Sequence, residues 1–278
     1  MTQTGAKSLQ WIRRIVSTIV AGAITFTVVA PVAAITARLG WLDKIQLIPA
    51  ALILSVPSLV IIALITVIFG RLYCSTVCPM GWIIDAAAKL PRLTPGLAAR
   101  NRYRFSPPKN RFRLIAFLII VGSVFTGSLI IFKLFAPYSA FCNMVEGIAG
   151  PLTRTLQVTA VAAITAWLTL FVVVALSAWR GRALCNTICP VGTLLATFAR
   201  KPLLHFDINT DLCTNCRQCV DRCKSRCIDL DDHVVDMTRC IVCFDCTASC
   251  PDDAIKYTIN RHQLKLPMLT PADPTLSA

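Results

Sequence analysis

Of 278 residues, 55% are hydrophobic and only 15% charged, against about 25% charged in ordinary soluble domains, so a water-soluble globular protein is a poor fit. The net charge of +14 is uneven: residues 1–200 hold 19 Lys/Arg and 3 Asp/Glu, residues 201–278 hold 9 and 11. The basic residues flank apolar stretches, which is the pattern of membrane topology rather than of nucleic-acid binding.

Four apolar segments, residues 15–37, 45–69, 112–132 and 156–179, each reach the roughly 20 residues that a helix needs to cross a bilayer. The first is too long for the apolar core of a signal peptide, and no small-residue cleavage site follows it. Pro31, Pro49 and Pro57 fall in the first two segments, where a membrane helix tolerates them. Basic residues crowd the N-terminus (Lys7, Arg13, Arg14), the connection 71–113 (nine, against the single acid Asp85) and the stretch after the fourth segment (Arg180, Arg182, Arg200, Lys201). The positive-inside rule then puts both termini and that connection in the cytoplasm of a bacterial inner membrane, with Trp11, Trp41, Trp82 and Trp179 as interfacial anchors. The outer connections are poor in charge; they carry Cys142, read as a free thiol, and Glu146, read as a solvated carboxylate. No histidine occurs in residues 1–200, which excludes a bis-histidine haem there, and there is no glycine-rich nucleotide fingerprint.

One element occurs twice. Gly70-Arg71-Leu72-Tyr73-Cys74-Ser75-Thr76-Val77-Cys78-Pro79-Met80-Gly81 recurs as Gly181-Arg182-Ala183-Leu184-Cys185-Asn186-Thr187-Ile188-Cys189-Pro190-Val191-Gly192. Each copy ends an apolar segment on the same predicted face, so the first 200 residues read as a two-fold duplication of two helices plus this element. Three readings of Cys74, Cys78, Cys185 and Cys189 stay open: a further iron–sulfur centre, redox-active dithiols, or packing residues where helices approach closely.

Nine of the fourteen cysteines lie between Cys213 and Cys250. Their spacing, Cys213-x2-Cys216-x2-Cys219-x3-Cys223 and then Cys240-x2-Cys243-x2-Cys246-x3-Cys250-Pro251, is that of a bacterial ferredoxin with two [4Fe–4S] clusters. Three thiolates on a tight loop take three corners of one cubane, and the fourth of each run reaches the other. Cys213, Cys216, Cys219 and Cys250 therefore hold one cluster, and Cys240, Cys243, Cys246 and Cys223 the second. A zinc site or a disulfide scaffold fits this spacing less well. The first run departs from the pattern at Lys224, where the second has Pro251, and carries an extra Cys227 opposite Ala254, read as a small buried residue. Residues 207–208 and 234–236 read as short strands. The expected fold is an all-α membrane domain of four helices (1–200), a C-terminal α+β two-cluster ferredoxin-like domain (201–262) and a short tail (263–278).

Four membrane helices, two C-x-x-x-C-P elements and a C-terminal two-cluster run resemble the NapH-type membrane ferredoxins, within a wider group that includes NosR-like and CcoG-like proteins. The resemblance implies electron relay between the quinone pool and a partner iron–sulfur protein or cytochrome, with quinol as a substrate and the chain as a subunit of a quinol dehydrogenase. The CcoG-like alternative is a metal-reducing or cofactor-maturation factor, and the NosR-like one a redox sensor.

Overall fold

Long apolar runs give the long helices here, and prolines and glycines divide them. The computed structural model describes residues 3–29, 56–93, 103–125, 135–153 and 160–259. In chain order the helices are α1 Gln3–Val29, α2 Val56–Phe69, α3 Tyr73–Thr76, α4 Pro79–Ala87, α5 Leu90–Leu93, α6 Asn110–Phe125, α7 Pro137–Thr153, α8 Ala160–Arg180, α9 Ala183–Thr187 and α10 Pro190–Phe198. A smaller unit follows, made of β1 His205–Ile208, α11 Gln218–Arg222, β2 Ile228–Asp229, β3 Val234–Val235, α12 Asp245–Ser249 and β4 Ile255–Thr258.

Thr4–Val29 and Ala160–Arg180 are long and apolar enough to cross a membrane. The other two expected segments are described in part, as the 14-residue α2 and the 16-residue α6; residues 30–55 and 126–134, with Pro31, Trp41 and Pro49, lie outside the described residues. The four helices turn large apolar side chains outward: Ile19 is 64% exposed, Val60 58%, Leu118 59% and Phe171 70%. A surface of this kind is unusual in water.

Two expectations are corrected. The first helix begins at Gln3 and not at residue 15. Its polar early turns, which read as a basic flank, find partners inside the protein: Arg13 donates to the carbonyl of Ser75 (3.3 Å) and to Asp85 (3.0 Å), and Gln10 donates to Asp245. The second correction concerns the outer connection, which contains the 17-residue α7. Its Ala140, Phe141 and Met144, spaced on one helical face, join the buried core with Tyr73, Cys74, Cys78 and Ile84. Gly147 lies so close to Ala162 and Ala166 of α8 that a Cβ there would stand 2.3 Å from that of Ala166. Cys142 is therefore part of a packed helix rather than a loop thiol, and Glu146, on the same helix, is exposed.

In the smaller unit β1 pairs antiparallel with β4, with His205 opposite Thr258 and Ile208 opposite Ile255, and β2 pairs with β3. The two cysteine runs adopt the same backbone. Asn215 and Val242, Arg217 and Phe244, and Arg226 and Asp253 are each 27 residues apart, and all six have positive φ. Left-handed geometry at a β-branched residue such as Val242 is strained and survives only where packing dictates it. Val242 is 1% exposed. Phe206, Phe244 and Tyr257 stack at 4.9–5.6 Å beside it, and the Tyr257 hydroxyl donates to the carbonyl of Phe69 (2.8 Å) at the end of α2.

Candidate functional site

Cys213, Cys216, Cys219 and Cys250 line one pocket, together with Ile208, Leu230, Ala254 and Ile255. Four thiols converging on an apolar hollow suit a cubane, whose core needs ligands and little else. Cys240, Cys243, Cys246 and Cys223 form a second group: each of the other three acts on the Cys246 thiol, and so does Cys219 from the first group. The groups differ in access. In the first group Cys216 is exposed, Cys213 half-buried and Cys219 and Cys250 buried, while in the second Cys243 is half-buried and Cys223, Cys240 and Cys246 are buried. Burial raises Cys246 well above the usual thiol range and Cys219 to about 12, so these sulfurs become thiolates only against a cation. Cys227 is 1% exposed, and its sulfur lies 3.6 Å from that of Cys223. Its thiol favours the thiolate at Cys223 by hydrogen bonding, which in turn raises Cys227 itself.

The repeated element is brought together across the two halves. Gly70 and Gly181 end α2 and α8 at φ +79° and +64°, the left-handed close that glycine permits. Cys78 and Cys189 are the N-caps of α4 and α10, followed in each case by proline at the first helical position. The Gly192 amide donates to Cys189 Sγ (3.4 Å), whereas Cys78 makes no such capping hydrogen bond. A Cβ at Gly81 or Gly192 would meet the carbonyl oxygen of Cys74 or Cys185 at 2.5 or 2.3 Å, so only glycine fits. Each motif arginine crosses to the other copy. Arg182 donates to the carbonyls of Cys74 (2.6 Å) and Gly81 (3.1 Å); Arg71 donates to Asn186 Oδ1 (2.9 Å) and lies against Gly192. Cys74 and Cys78 lie in one buried core, and Cys185 and Cys189 pack against it. Burial first, then the neighbouring thiols, push Cys78 up to about 12.

The two cysteine sites meet at a seam of buried charge. Asp85 pairs with Arg182 (2.9 Å), Arg13 (3.0 Å) and Lys224 (3.6 Å), and Lys224 continues to Asp245 (3.0 Å). Burial alone would raise the Asp85 carboxyl; the three cations outweigh it and hold it well below the usual carboxylate range. The carbonyl of Lys224 accepts from the Arg182 amide (2.9 Å) and stands 2.4 Å from where a Gly181 Cβ would sit. Asn186 donates to the carbonyl of Ser225 (3.1 Å), and Arg71 to that of Thr238 (3.0 Å). Residues 103–109 strap the other side: Arg239 donates to the carbonyl of Ser106 (2.5 Å) and Arg226 to that of Arg104 (2.8 Å). Sequence reasoning missed the seam. Its one signal was Lys224 in the place of a proline, since a departure from a steric rule often marks a second task.

Nowhere among the described residues do three His, Cys, Asp or Glu side chains converge closely enough for one metal ion. Thiolates on a single zinc would sit about 3.8 Å apart, given Zn–S bonds of about 2.3 Å; a cubane spreads its ligands wider. Of the anchor tryptophans, Trp11 and Trp179 are exposed, and Trp82 donates to Thr18 (3.1 Å). His205 is buried in β1, and His233 lies in the turn before β3.

A family profile described as a 4Fe-4S binding domain matches the chain twice, at residues 51–97 and 159–209, once over each copy of the repeated element. An uncharacterized protein of Methanocaldococcus jannaschii is 26% identical over 203 residues, covering 73% of this chain and 78% of its own. A second from that organism is 32% identical over 74 residues, 27% of this chain and 29% of its own. YccM of Escherichia coli, provisionally named an electron transport protein, is 24% identical over 198 residues, and the chain spans about half of it (52%). No solved structure matches. Each copy of the repeated element is thus similar to a 4Fe-4S binding domain.

Proposed function

We propose that the protein is a membrane-bound relay, of the NapH-like kind, that passes electrons between the quinone pool and a partner iron–sulfur protein or cytochrome. Four helices in residues 1–200 span the bacterial inner membrane with both termini in the cytoplasm, and residues 201–262 form a ferredoxin-like domain. Cys213, Cys216, Cys219 and Cys250 hold one [4Fe–4S] cluster, and Cys240, Cys243, Cys246 and Cys223 the second. When bound, the clusters supply one-electron exchange.

The observation that carries this reading is a line of thiols running inward from the surface. It starts at exposed Cys216, continues through the buried group at Cys246, and reaches Cys243, which packs in the same core as Cys74, Cys78, Cys185 and Cys189. The rest of the chain holds that line in place. The Asp85–Lys224–Asp245 seam fixes the angle between the two parts, and apolar packing around Cys240 and Cys246 excludes water. The outward apolar faces of α1, α2, α6 and α8 support placement in lipid, where quinol dissolves.

The experiment is anaerobic reduction of the detergent-purified protein by a quinol, followed by EPR. Reduced-cluster signals that appear with quinol are expected. Clusters that dithionite reduces but that neither take electrons from quinol nor return them to a quinone would overturn the relay.

A further inference from the structure

The two cysteine runs are copies offset by 27 residues, so each serves as a control for the other. At three places next to a cysteine, a neutral exposed residue of one copy stands opposite a buried charge. Leu212 before Cys213 corresponds to Arg239 before Cys240, Gln218 before Cys219 to Asp245 before Cys246, and Pro251 after Cys250 to Lys224 after Cys223. Arg239, Asp245 and Lys224 are 5%, 6% and 3% exposed. All three flank the inner set of Cys223, Cys240, Cys243 and Cys246. The outer set of Cys213, Cys216, Cys219 and Cys250 has Arg217 as its charged neighbour, and Arg217 is exposed, where water screens it.

The buried charges around the inner set do not balance. Arg239 is answered by Asp236 at 2.6 Å. Lys224 belongs to a larger array: among the described residues, linked ion pairs join four cations, Arg13, Arg14, Arg182 and Lys224, to two carboxylates, Asp85 and Asp245. The array is net positive. Its field reaches the inner sulfurs, since Lys224 and Arg13 favour the thiolate at Cys243 and Asp245 opposes it. Ile241, Val242 and Phe244 are buried around this set, and charges removed from water act on one another more strongly. The potential of an iron–sulfur cluster follows its net charge, its hydrogen bonds and its exposure to solvent. A buried cation beside the sulfurs favours the more negative, reduced state, and a buried carboxylate disfavours it.

We propose that Lys224 raises the midpoint potential of the cluster held by Cys223, Cys240, Cys243 and Cys246, with Arg13 in support and Asp245 in opposition, while the outer set is flanked by neutral Gln218 and Pro251. The inference rests on the cluster assignment of the proposed function and adds the residues that tune one of the two clusters. The step concerned is the gain of one electron, supplied by dithionite in the test; no bond or proton is exchanged. Lys224 is a positioning residue that acts through its charge on the ligands.

The test is an EPR-monitored redox titration of the full-length protein, purified anaerobically in detergent, with the two signals assigned by Cys213→Ser and Cys240→Ser. Lys224→Gln should lower the midpoint of the inner signal, Asp245→Asn should raise it, and Lys224→Arg should leave it near that of the wild type. The outer signal should move less in every case. Shifts of the same sign in Lys224→Gln and Asp245→Asn, equal movement of both signals, or no movement overturn the proposal, because a purely structural role has no reason to give opposite signs. If Lys224→Gln fails to assemble the inner cluster, Arg13→Gln takes its place and the same opposition to Asp245→Asn decides. Dithionite and mediators set the potential, so quinol plays no part: a protein that quinol does not reduce sinks the relay and leaves these shifts standing, whereas quinol reduction with unmoved midpoints overturns this proposal alone. A wild type without two reducible clusters overturns both.

Discussion

Lys224 Nζ lies 3.0 Å from Asp245 Oδ2, a link from the end of the first cysteine run to the helix of the second. Asp85 of α4 stands 3.6 Å away on the same ammonium, so one side chain ties both halves of the small unit to the helices. Proline at 224 would shape the loop as Pro251 does in the second run but could not make this link.

Lys224→Met is therefore expected to destabilise the protein by about 3 kcal/mol, the usual scale for leaving buried charges unmatched. Lys224→Arg should cost less. The check is thermal loss of near-ultraviolet circular dichroism in detergent. A Lys224→Met midpoint equal to that of the wild type would mean that Asp85 and Asp245 are satisfied without it.

Asp85 gives a pH dependence of definite sign. Its folded carboxyl lies below the ordinary aspartate value of 3.8, so its stabilisation is present above 3.8 and fades only as pH falls through the lower, folded value. The stability gap between wild type and Asp85→Asn should thus stay constant from pH 8 to pH 5. A gap that already closes by pH 6 would show that Arg182, Lys224 and Arg13 do not hold the carboxylate down.

Much of this arrangement is legible in the sequence, because cysteine spacing and the repeat are local signals. The period of three in the runs set out which thiols share a pocket, and the repeated Gly-Arg…Cys-Pro-x-Gly brought out two equivalent helix ends. Short strands at 207–208 and 234–236 were close to the observed β1 and β3. The misses are non-local. α7 carries only one acid and apolar residues on one face, and it read as a loop because its partners are on α1, α4 and α8. The polar start of α1 read as a flank because its partners, Asp85 and Asp245, come 72 and 235 residues later.

The motif glycines are a steric test. Gly81→Ala and Gly192→Ala each drive a methyl to within 2.5 Å of a backbone carbonyl, which cannot swing aside. Both should lower the unfolding midpoint and the yield of folded protein. Gly22→Ala is the control: no atom lies within 4 Å of its added methyl, and alanine in a helix is favoured by about 0.5–1 kcal/mol. Equal behaviour of the three variants would contradict the close approach.

Cys227→Ala should retain both proposed clusters of the small unit. The second run has Ala254 in the equivalent place, so the backbone accepts alanine there, and the loss is one thiol donor to the Cys223 sulfur. The iron count should not change, while the potential of the cluster at Cys223 shifts downward, because a hydrogen bond that favours negative sulfur has gone. Loss of about four irons would make Cys227 a ligand.

The two groups of thiols should differ in lability. Cys216 is exposed and Cys213 half-buried, whereas Cys223, Cys240 and Cys246 are each 7% exposed and covered by Phe244, Val242 and Met237. A chelator or dioxygen must reach iron or sulfide through the ligand shell, so the exposed group is attacked first. In a time course with an iron chelator, the signal assigned by Cys213→Ser should decay before the one assigned by Cys240→Ser. On the proposed relay, the same exposure would make the Cys216 side the exit to a partner, because transfer falls off steeply with distance and Cys216 is the exposed thiol of the two groups. Simultaneous decay, or earlier loss of the Cys240 signal, would show that the inner group is open to solvent by another route and would remove the basis for that exit.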